Sequence, residues 1–331
     1  MKGEHEVDKS GQADVSGLHG DKPKHEYCAS ISQAMGENPI GTAGGQHHYL
    51  LVEVPLPWTD NITESSKFPN GMNDVLKKCM AQGLQFRFLA IWSEFNSPPP
   101  GYTRVIEYRQ PAGEMVPYVK REYLLPTEQV ADLAEALLAS GSVDQYHTWQ
   151  QPDQGIRDIL VCTHGTHDLC CGKFGYPIYR ELGEAFASSP DTKLRAWRVS
   201  HIGGHRFAPT LIDFPEGRFW AHVTSEVLGA IVRREGATVD IIRHYRGVSG
   251  IGAFGQVAER ELFASKGWSW LQYAKTMVIQ SQSDTGAVVQ ITYRSPDGSD
   301  YGTSEFEVYV EGTVKTGGCG HDGEVKQLAV R

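Results

Sequence analysis

Residues 158–188 read DILVCTHGTHDLCCGKFGYPIYRELGEAFAS, and this stretch sets the fold class. The aliphatic run from Asp158 to Cys162 has the content of a buried strand, a Gly-containing loop follows, and residues 177–188 carry a helical pattern. Further on, the spacing predicts a strand over 193–199, the loop HIGGHRFAP (201–209), a hairpin in TLIDFPEGRFWAHV (210–223) and a helix through 226–234. The order is β-α-β-β-β-α.

The same order precedes it. YLLVEVPLP (49–57) and QFRFLAIW (85–92) read as strands around a helical pattern near 70–82. Alternating segments at 104–108 and 117–125 follow, then an amphipathic helix over 127–139 with Leu133, Leu137 and Leu138 on one side. Two such passes imply a duplication, and the expected fold is α/β: two tandem thioredoxin-like units with a C-terminal helix plus β-meander extension. Residues 1–26 are polar and read as a disordered tail, with units over 27–145 and 146–236 and the extension over 237–331.

The 331 residues hold 31 basic and 40 acidic side chains, a formal charge of −9. No basic face is evident that would displace counterions from phosphates, so nucleic acid is not an expected partner. No apolar run reaches the ~20 residues of a membrane-spanning helix, and no membrane partner is expected. The first residues lack the apolar core of a signal peptide, which makes the cytoplasm the expected location. Six cysteines are too few for a disulfide scaffold, and a close cluster in a reducing compartment points to metal or redox chemistry.

That cluster is Cys162, Cys170 and Cys171, followed by His201 and His205. Thiolates and imidazoles suit zinc or an iron-sulfur centre, and four such donors close a tetrahedral shell or complete a 2Fe-2S cluster. Adjacent cysteines in an extended segment point to opposite sides, so one of Cys170 and Cys171 is a ligand and spacing leaves the choice open. His201-Ile-Gly-Gly-His205 lacks the glutamate of a zincin helix, and paired glycines disfavour that helix. A Cys-x-x-Cys dithiol is absent.

VCTHGTHDLCCGKFG (161–175) with HIGGHRFAPTLIDFPEGRFWAHV (201–223) resembles the sucrase/ferredoxin-like family, and the likeness extends from YCASISQAMGENPIGTAGG near residue 27 to YRGVSGIGAFGQVAE. Its characterised members are thioredoxin-like 2Fe-2S proteins with two cysteine and two histidine ligands. The resemblance implies Cys162, Cys171, His201 and His205 as ligands, the cysteines on one iron and the histidines on the other, and leaves Cys170 out. One departure is His167-Asp168, where relatives commonly carry Arg-Asp. Pro209 fits the loop proline of such folds, opposite the first strand-helix loop.

Two ferric ions, two sulfides, two thiolates and neutral imidazoles sum to zero charge, against −2 for four thiolates, which favours electron uptake. The second imidazole nitrogen couples that uptake to a proton. The expected function is proton-coupled one-electron transfer to a redox partner protein or small electron carrier; the rival is a zinc-stabilised binding module without redox activity. His164, His167 and Asp168 stand in the ligand loop as candidate hydrogen-bond partners, and Lys173 and Arg206 flank it. Cys28 and Cys79 read as buried thiols, and Gly-Gly-Cys319-Gly-His321 as a Gly-rich loop. No acidic pair is marked as a glycosidase dyad, so hydrolysis is not expected.

Overall fold

A computed structural model describes residues 26–111, 115–188, 192–317 and 323–331. The expected tail, apart from residue 26, and both Cys319 and His321 lie outside the described residues.

Helix α1 (Cys28–Ala34) leads into the first unit: β1 (His48–Glu53), α2 (Met72–Ala81), β2 (Arg87–Trp92), β3 (Tyr102–Arg109), β4 (Val119–Pro126) and α3 (Val130–Leu138). A two-residue strand, β5 (Gln150–Gln151), closes its edge. The second unit runs β6 (Arg157–Cys162), α4 (Tyr176–Glu181), β7 (Leu194–Val199), β8 (Leu211–Phe214), β9 (Arg218–Trp220) and α5 (Ser225–Arg233). Both therefore have the β-α-β-β-β-α order read from the sequence. After α6 (Thr238–Ile241), β10 (Tyr245–Val248) and α7 (Ala253–Lys266), the chain ends in β11 (Ala274–Gln282), β12 (Gly286–Arg294), β13 (Tyr301–Thr316) and β14 (Gly323–Val330).

The two units share one ten-stranded sheet, ordered β10-β9-β8-β6-β7-β2-β1-β3-β4-β5. Within each unit the first two strands are parallel (β1 with β2, β6 with β7) and the third lies antiparallel beside the first. The units join where β2 meets β7, antiparallel, through Ile91↔Val199 and Trp92↔Arg198. Strand β10 adds to the edge beside β9, so residues 245–248 complete the main sheet although they follow the second unit. Strands β11–β14 form a separate antiparallel meander. Helix α7 sits between the two sheets: Val257, Leu262 and Phe263 share a core with Trp220 and Tyr245 on one side and Val289, Ile291 and Val308 on the other.

Alternation along the strands divides the core. Leu50, Val52 and Ala90 face α2 and α3, Ile159, Val161 and Ala196 face α4 and α5, and Tyr49, Leu51, Leu160, Trp197 and Ile212 share the opposite face. On that face the sheet curls until its halves touch. Tyr108 of β3 stacks on Phe214 of β8 at 4.2 Å and donates its hydroxyl hydrogen bond to Asp158 of β6. Asp158, fully buried, also accepts from Arg195 Nε at 2.8 Å, Trp197 Nε1 at 2.7 Å and Lys120 Nζ at 2.6 Å. Arg195 reaches on to Glu122 of β4 with both terminal nitrogens, at 2.8 and 2.7 Å. Burial pushes both carboxyls up, but the Arg195 and Lys120 charges outweigh it and hold Glu122 down to about 2 and Asp158 below its ordinary range. Among the described residues no helix is long and apolar enough to cross a membrane.

Removing one charge from a buried, hydrogen-bonded network leaves the others uncompensated. Asp158→Asn is expected to cost about 3–5 kcal/mol of unfolding free energy in urea titrations. Glu122 has a depressed folded pKa, so its contribution is complete above the unfolded value of about 4.3 and is lost as pH falls toward about 2. Glu122→Gln should therefore flatten the acid limb of stability below about pH 5.

Candidate metal centre

The parallel pair β6 and β7 sets the site. Their register aligns Cys162 with Val199, so both strands end together and the loops carrying the remaining donors leave from one edge. Beyond Cys162, a π-helical turn over Cys171–Gly175 leads directly into α4. The segment around Cys170 and Cys171 is thus helical where the sequence reading took it as extended. The two sulfurs still diverge, because successive residues on a helix are rotated by roughly 100°. Cys171 joins Cys162 and His201, whose donor atoms all lie within 4.8 Å of one another. Cys170 lies instead beside Cys28, with the sulfurs 3.3 Å apart.

Close backbone approach holds this geometry. A Cβ built on Gly175 would meet the Cys162 carbonyl oxygen at 1.9 Å, and one on Gly172 would meet Gly165 Cα at 2.8 Å. Glycine at these positions lets the helix seat directly on the strand that carries Cys162. Across the site, Gly203 and Gly204 both take positive φ (+84° and +73°) and turn the chain toward His205. Arg246 of β10 pins that turn, donating from Nη1 to the Gly203 carbonyl at 3.0 Å and from Nη2 to the Thr42 carbonyl at 2.7 Å.

The thiols of Cys162 and Cys171 are buried. A hydrogen bond from Cys171, aided by His201 and opposed by burial, pushes the Cys162 thiol well below its ordinary value; the same contact and burial push Cys171 up. Burial and the neighbouring Arg206 lower the Arg246 guanidinium to about 10, while the charges of Cys162 and Cys171 act the other way, so this buried cation is coupled to both.

His205 occupies a different set of contacts. Its ring centroid is 6.0 Å from that of His201, while its Nδ1 is 2.8 Å from Asp168 Oδ2 and 3.1 Å from Cys28 Sγ. Cys28, Asp168 and His205 form a second group of compatible donors. Of the four ligands implied by the family resemblance, Cys162, Cys171 and His201 thus meet, with His205 beside them turned toward Cys28. His164 donates from Nε2 to the Thr59 carbonyl at 2.8 Å and accepts the His201 backbone N–H on Nδ1 at 3.3 Å. A carbonyl only accepts and an amide only donates, which fixes His164 as the neutral Nε2–H tautomer. His167 packs on His201 at 4.3 Å and pairs with Asp60 at 2.7 Å.

Lys173 lies 3.7 Å over the Tyr27 ring and Arg206 pairs with Glu37 at 2.7 Å, so both are engaged within the chain. Pro209 stands between the His205–Phe207 turn and β8, and the carbonyl of the next residue, Thr210, accepts the Cys162 N–H at 3.0 Å. Cys79 lies away from the site, in the core of the first unit. The sequence reading did not find Cys28 and Arg246 as site residues. Cys28 is remote in sequence from the motif, and Arg246 sits in a polar stretch with no strand pattern; the adjacent Tyr27-Cys28 and Tyr245-Arg246 pairs offer no periodic signal.

The fold and the site define an α/β protein with a buried thiol-imidazole group suited to a metal centre. Residues 39–247 match the Suc_Fer-like family, described as sucrase/ferredoxin-like, and the chain belongs to that family. Relatives include the protein named "Altered inheritance of mitochondria protein 32" of Meyerozyma guilliermondii, 27% identical over 36% of this chain and 42% of its own length. The protein of that name from Debaryomyces hansenii is 29% identical over 38% and 50%, and that of Clavispora lusitaniae 26% over 40% and 51%. The chain spans about half the length of the curated relatives it matches. No solved structure matches it.

Gly175→Ala forces the helix away from β6 and should cost about 1–3 kcal/mol. Because the displaced helix carries Cys171, any metal held by the Cys162–Cys171–His201 group is expected to fall as well, read by metal analysis of the purified variant alongside a urea titration.

Proposed function

We propose that this protein is an electron carrier whose second unit is thioredoxin-like and holds a 2Fe-2S cluster through Cys162, Cys171, His201 and His205. The first unit, on this reading, is a thioredoxin-like partner without a cluster. The single observation that carries the proposal is the convergence of Cys162, Cys171 and His201 donors within 4.8 Å, with His205 next to them. The donor set fits the group: two buried thiols and an imidazole converge, and a second imidazole lies beside them.

A cluster bound there supplies one-electron redox, with two imidazoles reducing its negative charge relative to four thiolates. The residues around it do the rest. Asp168 holds a proton on His205 Nδ1 and leaves Nε2 for a ligand bond. His164 anchors the backbone at His201. Arg246, buried and coupled to both cysteines, favours an added negative charge. With a cluster bound, the second ring nitrogen of His201 would be where a proton could be taken up.

The partner is a redox protein or small electron carrier in the cytoplasm, a compartment consistent with sparse cysteines. The second reading, a zinc-stabilised binding module, draws on the same three-donor group, since zinc takes those ligands equally well.

Anaerobically purified protein should be coloured, contain iron and acid-labile sulfide in equal amounts, and give a paramagnetic signal after dithionite reduction. Cys162→Ser or Cys171→Ser should abolish all three. Replacing His201 and His205 together by cysteine should retain the iron and lower the potential by on the order of hundreds of millivolts. A colourless protein with stoichiometric zinc would establish the second reading.

A further inference from the structure

Cys28 and Cys170 lie outside the proposed ligand set, yet their sulfurs are 3.3 Å apart across 142 residues of chain. They sit in a small apolar capsule with Ala29 and Ala208, closed by Tyr27 and Phe174, whose rings meet edge to face at 5.4 Å. Each sulfur comes from a fixed element: Cys28 opens α1, and Cys170 immediately precedes the Cys171–Gly175 turn. A disulfide needs a sulfur separation of about 2.05 Å, so bond formation draws these atoms together by only about 1.2 Å. Beside them the His205 side chain is 28% exposed, with its Nδ1 3.1 Å from Cys28 Sγ.

We propose that Cys28 and Cys170 are a peroxide-oxidisable dithiol that closes to a disulfide and ties α1 to the helical segment bearing Cys171. One thiol attacks hydrogen peroxide, its O–O bond breaks, and a sulfenic acid and one water form. The second thiol displaces the sulfenic oxygen as a second water and the S–S bond forms. Two thiols lose two electrons and two protons, and one peroxide takes them up. The closing bond removes the Cys28 S–H, so oxidation at this pair alters the contact that His205 makes with Cys28 Sγ. A small dithiol restores the open form.

The pair contains none of the four proposed ligands, so this reading stands or falls separately from the cluster. The test uses the full unmodified chain, with iron content recorded in parallel. Hydrogen peroxide is added, remaining thiols are alkylated under denaturing conditions, and peptides are mapped by mass. The expected result is a Cys28–Cys170 linked peptide that appears with peroxide, disappears with dithiothreitol and leaves Cys79 alkylated. In Cys170→Ser the link should be absent, and Cys28 should join no other cysteine. Recovery of both Cys28 and Cys170 as alkylated thiols after peroxide, their conversion to sulfinic acids without a link, or pairing of Cys28 with Cys162 or Cys171 would each overturn the proposal.

Discussion

The parallel register of β6 and β7 is the constraint on which the site depends. Parallel neighbours end at the same edge of a sheet, so the alignment of Cys162 with Val199 delivers a thiol and, two residues past the end of the other strand, His201 to one place. A crossover helix has to join such strands, and here its first turn carries Cys171 back over the end of β6. Cys162 and His201 are 39 positions apart in the sequence, and the topology brings them together. The π-helical turn at Cys171 and the absence of side chains at Gly172 and Gly175 then set how near the helix comes to the strand.

The first unit contributes walls. Arg87 of β2 donates to the His201 carbonyl at 2.8 Å, the Thr59 and Trp58 carbonyls accept from His164 and Thr166, and Asp60 meets His167. These contacts exist because β2 pairs with β7 and the sheet curls, which brings the loop after β1 across to the ligand edge. The ionic network at Asp158 holds that curl from the other end of β6. Duplication of the β-α-β-β-β-α order therefore has a physical use: one copy positions the donors, and the other supplies the carbonyls and side chains that orient them.

Much of the fold was legible because strands and helices with one buried face leave a periodic trace. Leu133, Leu137 and Leu138 lie in the core of the first unit as the pattern of α3 implies, and the β6 run of Ile159 to Val161 is buried on both faces. The curl of the sheet was not legible, since it depends on Tyr108, Phe214 and Asp158 meeting across units, and no local pattern records which distant strands touch. Strand β10 escaped for a related reason: Tyr245 and Arg246 are buried, but an arginine satisfied by Thr42 and Gly203 reads as polar surface. The donors were legible by type and spacing. Their partition was not, because Cys28 arrives from α1 and gives His205 and Cys170 a neighbour that the Cys-x8-Cys and His-x3-His pattern does not contain.

That partition bears on how charge reaches the site. The sulfurs of Cys162 and Cys171 are buried in the face shared by Trp197 and Ile212, whereas His201 and His205 are part-exposed and a cavity of about 380 Å³ opens beside His201, lined by Asp60, Arg87, His164 and His167. On the proposed reading, a redox partner approaching from this side would meet imidazole rather than sulfur. The sulfur end stays in a low-dielectric core beside the buried Arg246 guanidinium, while the imidazole edge is open to solvent. The asymmetry between a buried sulfur end and an open nitrogen end follows from the fold itself: the cysteines lie on a strand end and a helix seated against it, and the histidines lie on the loop that leaves the sheet.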